Sequence, residues 1–163
     1  MPDHSLESAL RARGLTRVAG VDEAGRGPLA GPVSVAAVIV PARWRCKGLD
    51  DSKKLSASKR EALYEQITND PKVIWCLAYA EVEEIERINI LKATHAAMAR
   101  AVQGLREAAD HCLIDGLKVP NFPYPHDGVV GGDGISLSIA AASIIAKVSR
   151  DRLMTSLAAE FPG

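Results

Sequence analysis

The chain has 163 residues, 47% of them hydrophobic and 25% charged, with 20 basic side chains against 20 acidic ones. That is enough for one domain with a real core, and the charge balance excludes nucleic-acid binding through overall charge, so any such surface must be a local patch. Three cysteines (Cys46, Cys76, Cys112), odd in number and widely spaced, exclude a disulfide framework and a cysteine zinc site.

Those thiols are expected to be reduced and the protein cytoplasmic. No signal peptide and no apolar run of membrane length is seen. His4, His95, His111 and His126 form no ligand pattern.

In chain order, Ser5 is a candidate cap for a short helix ending near Arg13, with Leu6 and Leu10 on one face and Gly14 after it. A first strand is expected over 17–23 and a second, rich in β-branched residues, over 33–40. The turn between them carries Gly25, Arg26, Gly27 and Pro28, which makes the strands antiparallel neighbours. Residues 41–54 form a loop where Arg43, Arg45, Lys47, Lys53 and Lys54 surround Trp44. Basic residues around an aromatic ring can hold a nucleic-acid strand by charge and stacking, although a solvated loop looks the same in sequence. Ser56 is a plausible N-cap for a helix over 56–67. A third strand follows over 72–80, then a short helix or turn over 81–87.

Residues 89–108 repeat apolar positions at helical spacing (Leu91, Met98, Val102, Leu105). Thr94 and His95 there are expected to pack or to lie on the polar face. Residues 112–115 form a buried strand that ends in a carboxylate, and a loop with three prolines covers 117–128. Val129 and Val130 supply the last strand. A long helix begins near Ser136 or Ser138 and runs past Met154. The order of elements predicts an α/β domain, a mixed sheet with helices packed on it.

Four carboxylates stand out: Asp22, Glu23, Asp115 and Asp133. Three segments bring them, each flanked by glycine. A carboxylate at the end of an apolar strand is costly unless a cation sits on it, although a solvated sheet edge can also carry one. Clustered acids would repel one another and protonate. Two divalent ions about 3.5–4 Å apart would keep them ionised and clamp an in-line displacement at phosphorus. All-oxygen ligands favour Mg²⁺ or Mn²⁺ over Zn²⁺. Adjacent strand residues face opposite ways. Either the strand therefore breaks at Glu23, or Glu23 contributes chiefly its backbone carbonyl, and Asp22 takes the bridging role. A dinucleotide-binding loop is excluded, because Gly25, Gly27 and Gly31 have the wrong spacing and Pro28 and Pro32 oppose the helix it must open.

The stretch from Gly20 to Pro32 (GVDEAGRGPLAGP) resembles the first signature of bacterial ribonuclease HII. Four further blocks agree in order: Asp51–Leu55 (DSKKL), Asn89–Thr94 (NILKAT), Leu113–Gly116 (LIDG) and Ser138–Asp151 (SIAAASIIAKVSRD). The resemblance implies a ribonuclease H-like fold and a metal site of Asp22, Glu23, Asp115 and Asp133 with Mg²⁺ or Mn²⁺. It implies an endonuclease acting on RNA–DNA hybrids and on ribonucleotide-containing DNA, cutting 5′ of the ribonucleotide. Gly25, Arg26 and Gly27 would read the 2′-hydroxyl, the group that separates RNA from DNA. Ser52, Lys53, Lys54, Ser143 and Lys147 would touch substrate.

Two departures stand out. Gly131-Gly132-Asp133 replaces the Lys-Gly-Asp of many members. Family chains also continue past Gly163, with a tyrosine that stacks at the RNA–DNA junction and further helices. The expectation is thus a single catalytic domain over 1–163 without that segment, from an enzyme that is monomeric when intact and does not bind membranes. The alternative is a weakly active or inactive nucleic-acid-binding fragment, with Ile139, Ile145, Leu153 and Leu157 partly exposed.

Overall fold

A computed structural model describes residues 1–25 and 31–160. Arg26 and Gly27, two of the expected substrate contacts, lie outside the described residues.

Apolar runs build β1 (Val18–Ala24), β2 (Val33–Ile39), β3 (Ile74–Ala80) and β4 (His111–Asp115), and a fifth, more polar strand, β5 (His126–Val129), joins them. They form one mixed sheet in the order β3-β2-β1-β4-β5. β1 pairs antiparallel with β2, as the short turn required, and parallel with β4. Val130 does not extend β5; it is exposed. The central strands are buried on both faces, which explains why β2 is apolar at every position but Ser34.

The helices are α1 (Ser5–Ala12), α2 (Ala57–Thr68), α3 (Val82–Ile88), α4 (Ile90–Gln103) and α5 (Leu137–Glu160). Side chains of one parity (Ala19 and Val21 of β1, Val35 and Ala37 of β2, Ile114 of β4) form a core with Ala97, Met98 and Ala101 of α4. On the other face, Ala36 and Val38 pack with Leu63 and Ile67 of α2 and Ile144, Ile145 and Val148 of α5. A smaller cluster joins Leu10 of α1, Val18, Leu113 and Ile139.

Capping marks several boundaries. Ser56 accepts a bond from the Lys59 N–H and starts α2 as expected. Asn89 has a φ of 75° between α3 and α4, and its side chain accepts from the Lys92 N–H. Ser5 is not a cap: it is the first residue of α1, and its own N–H donates to Asp3. Leu91 departs from the apolar face of α4 and is exposed, while Thr94 is buried and bonds back to the Ile90 carbonyl.

α5 crosses β1 at Gly20. A Cβ there would lie 2.1 Å from the Ser138 carbonyl carbon and 2.4 Å from the Ile139 nitrogen. Ile139 and Ile145 are fully buried in the cores just described, contrary to the expectation of exposure; Leu153 and Leu157 are half-buried.

Trp44 is the clearest correction. Instead of a stacking platform it is a core residue, packed with Leu49 and Ile67, and its Nε1 donates to Asp70 at 3.0 Å. Its apolar ring gains more from burial than from water, so the loop's basic residues face solvent without it. Trp44→Phe keeps most of the packing and loses that bond. The expected cost is about 1 kcal/mol in urea unfolding; no change in midpoint would show the bond to be idle.

Candidate active site

Strand parity carries the acids to one place. Asp22 shares the face of Val18 and Gly20, the face on which α5 lies, and Asp115 shares the face of Leu113. β1 and β4 are parallel neighbours, so their C-terminal ends deliver both carboxylates side by side. The third comes from a 3₁₀ turn, Gly132–Gly134, just before α5. One carboxylate oxygen from each of Asp22, Asp115 and Asp133 lies within 4.8 Å of the others.

Glu23 is not part of that triad. β1 does not break there: Glu23 still pairs with Val35, and Ala24 with Ser34. The side chain therefore has the parity of Ala19 and Val21 and lies toward α4. It lines both the acidic cleft and a neighbouring hollow formed with Leu91, His95 and Met98. Its main-chain N–H donates to Asp22 at 2.8 Å.

The electrostatics follow from crowding. Burial, then the charges of Glu23 and Asp115, hold Asp22 well above the usual carboxylate pKa. Burial, then Asp133, raises Asp115, although its Oδ1 accepts a long bond (3.4 Å) from the Asp133 N–H. Lys53 relieves part of this strain. Its ammonium lies 2.8 Å from Asp133 and 3.2 Å from Asp51, and the bond to Asp133 is the main reason that its pKa rises. Burial pulls Asp51 upward, but the bonds from Lys53 outweigh it and the net shift is downward.

The acids open into a cleft of about 450 Å³ that Gly25, Ser52, Lys53, Ser143 and Lys147 also line. Ser143 donates to Ser52 at 2.8 Å, which ties α5 to the 3₁₀ turn Ser52–Lys54. Lys147 pairs with Asp151 one turn on. Lys54 is exposed and does not line the cleft.

Two charged cleft residues carried no expectation. Arg60 reaches in from α2 and donates to the Ser52 and Leu55 carbonyls. Arg150, buried on α5, donates to the Pro32 carbonyl, and its guanidinium lies where a Cβ on Gly25 would be, 1.9 Å from Nε. With a φ of 101°, Gly25 is doubly required there. Such residues are hard to find in sequence, because Arg60 beside Lys59 and Arg150 beside Asp151 and Arg152 read as ordinary charged positions of their helices.

Oxygen-only ligands in a partly buried cleft fit a hard divalent cation. The thiols and imidazoles lie elsewhere. The three cysteines are free, and burial pushes Cys112 up to about 12. His126 accepts from the Val119 N–H and bonds to the Tyr124 carbonyl. Among the described residues no helix is long and apolar enough to cross a membrane.

The chain has relatives. The family model described as Ribonuclease HII matches residues 19–163. Ribonuclease HII of Paracoccus denitrificans is 53% identical over 99% of this chain and 77% of its own length. That of Ruegeria sp. (strain TM1040) is 54% identical over 99% of this chain and 70% of its own. Among solved structures, the ribonuclease HII of Archaeoglobus fulgidus, determined in complex with PCNA, superposes with a TM-score of 0.75 at 28% identity, covering 90% of this chain and 79% of that one. The ribonuclease H2 of Pyrococcus horikoshii OT3 gives 0.71 at 26% identity, covering 89% and 77%. The mixed sheet is thus the ribonuclease H-like fold expected, and with a family match that spans all three clustered acids, the chain belongs to the ribonuclease HII family of ribonuclease H endonucleases.

Proposed function

We propose that the chain hydrolyses the RNA strand of RNA–DNA hybrids and cuts on the 5′ side of single ribonucleotides embedded in duplex DNA, leaving 3′-hydroxyl and 5′-phosphate ends. The observation that supports this most strongly is the convergence of Asp22, Asp115 and Asp133 within 4.8 Å in an open cleft also lined by Lys53, Arg60, Lys147 and Arg150. Acids alone would repel a phosphodiester; acids ringed by cations suit a divalent ion and a phosphate together.

Two Mg²⁺ or Mn²⁺ ions bound there would activate the attacking water and stabilise the leaving oxygen. Asp22, Asp115 and Asp133 would hold the ions, Asp22 as the ligand they share, with Glu23 in a lesser, partly main-chain role. Gly25 and the neighbouring Arg26 and Gly27 would present backbone groups to the ribose 2′-hydroxyl. Ser52, Lys53, Ser143 and Lys147 would hold the flanking backbone, with Lys54 at the cleft's margin. Residues 1–163 would act as one cytoplasmic catalytic domain, of an enzyme that is monomeric when intact.

The direct test is a duplex DNA with one ribonucleotide, incubated with Mg²⁺ or Mn²⁺. The expected result is a single metal-dependent cut 5′ of the ribonucleotide; binding of the duplex without any cut would overturn the reading.

Lys53 makes a sharper point. It neutralises Asp133 in the metal-free cleft, so an incoming ion competes with it. Asp133 is buried but Lys53 is largely exposed, and a pair so open to solvent on one side is worth about 0.5–1 kcal/mol, so Lys53→Met should tighten Mn²⁺ binding roughly two- to fivefold while slowing cleavage. Calorimetric titration with Mn²⁺ checks the first half, and weaker binding would contradict it.

A further inference from the structure

Glu7 is fully buried, yet it lies on α1 and outside the cleft. One oxygen, Oε2, accepts three bonds at the start of α5: from the Ser136 hydroxyl at 2.6 Å, the Ser138 hydroxyl at 2.6 Å and the Ser138 N–H at 3.0 Å. Ser136 in turn accepts from the Ile139 N–H and so caps the helix. A carboxylate is favoured at this end of a helix, where N–H groups lack partners. The other oxygen, Oε1, is buried with no hydrogen bond. Leaving that oxygen buried and unpartnered is a cost that the three bonds to Oε2 must offset.

The same point is held from other sides. Backbone bonds join Asp3 to Ile135 and Leu137 at 3.0 Å each, and Gly20 of β1 lies directly beneath Ser138. The segment between these clamps and the cleft is short. Asp133 stands three residues before Ser136, in a turn closed by the Ser136 N–H on the Gly132 carbonyl at 2.8 Å. Asp22 stands two residues after Gly20 on the strand that α5 crosses. Whatever fixes the start of α5 on β1 therefore fixes Asp133 relative to Asp22.

We propose that Glu7 is a positioning residue for the metal site: it locks the N-terminus of α5 so that Asp133 is held against Asp22 and Asp115. The inference rests on the metal reading above. Glu7 touches neither substrate nor metal and acts only through the 133–138 segment.

The test is Mn²⁺ binding by electron paramagnetic resonance, well below each variant's unfolding midpoint. Glu7→Leu fills the volume but removes the acceptor, and Glu7→Gln keeps one oxygen for the three donors. Glu7→Leu is expected to weaken Mn²⁺ binding about tenfold, the lower end of what loss of a supporting residue costs a metal site, and Glu7→Gln to recover most of it. If Glu7→Leu does not fold, Ser136→Ala takes its place and should weaken binding in the same sense. Wild-type Mn²⁺ affinity in these variants, with only the thermal midpoint lowered, would overturn the proposal and leave Glu7 a stability residue. A wild-type chain that takes up no Mn²⁺ would overturn the metal reading itself, and the inference with it.

Discussion

Asp22→Asn is expected to abolish cleavage while leaving the metal-free chain at least as stable as the wild type. Loss of a single charge-stabilising group in a catalytic site costs about 10²–10³ in rate, and a bridging ligand should exceed that. The stability effect has the opposite sign. Burial, then Glu23 and Asp115, raises Asp22 well above its ordinary value of 3.8. A carboxyl whose pKa is higher in the folded than in the unfolded chain binds its proton more tightly when folded. Its contribution to stability is complete below pH 3.8 and is lost as the pH climbs through the folded-state value. Asparagine never ionises, so it escapes that loss, and its carbonyl can still accept from the Glu23 N–H. The thermal midpoints of mutant and wild type should therefore converge in acid and separate, mutant above, toward neutral pH. A mutant that melts well below the wild type at neutral pH without metal would make Asp22 a structural ion-pair partner instead.

Gly20→Ala is expected to cost about 3 kcal/mol or more, at the upper end of what overpacking does. The added methyl would fall 2.1–2.4 Å from main-chain atoms of Ser138 and Ile139, and backbone cannot rotate away as a side chain can. Relief requires α5 to lift from β1, which would carry the Asp133 turn with it. Metal affinity should fall together with stability. Gly134→Ala is the control: its Cβ meets nothing within 4 Å. Urea unfolding checks the pair, and a Gly20→Ala midpoint equal to that of the control would show that the crossing is looser than described.

The strands and the long helices were legible because their signals are local. β2 is a run of β-branched residues, α4 repeats every three to four residues, and Ser56 sits one residue before its helix. The acids were legible for the same reason, since an acid that closes an apolar run (Asp22, Asp115) or sits between glycines (Asp133) is a short pattern. Parity settled Glu23: once β1 is seen to run through Ala24, the side chain must turn toward α4. What escaped was set by distant partners. Glu7 reads as one more polar residue of α1, and its bonds reach Ser136 and Ser138, more than a hundred residues on. Lys53 is legible as a substrate contact through the family resemblance, but its pairing with Asp133 shows only once β5 and α5 place that acid beside it. Trp44 looks like a surface aromatic because its neighbours in sequence are basic, whereas its neighbours in space are Leu49 and Ile67.

The central claim is that Asp22, Asp115 and Asp133 hold two divalent ions in one cleft. Crystals soaked in Mn²⁺ with a non-cleavable ribonucleotide duplex, measured at the manganese edge, test it most directly. The account predicts two anomalous peaks about 3.5–4 Å apart, with the Asp22 carboxylate between them and Asp115 and Asp133 on either side. An anomalous map with no peak among these three carboxylates, at saturating Mn²⁺ and with the duplex bound, would contradict it.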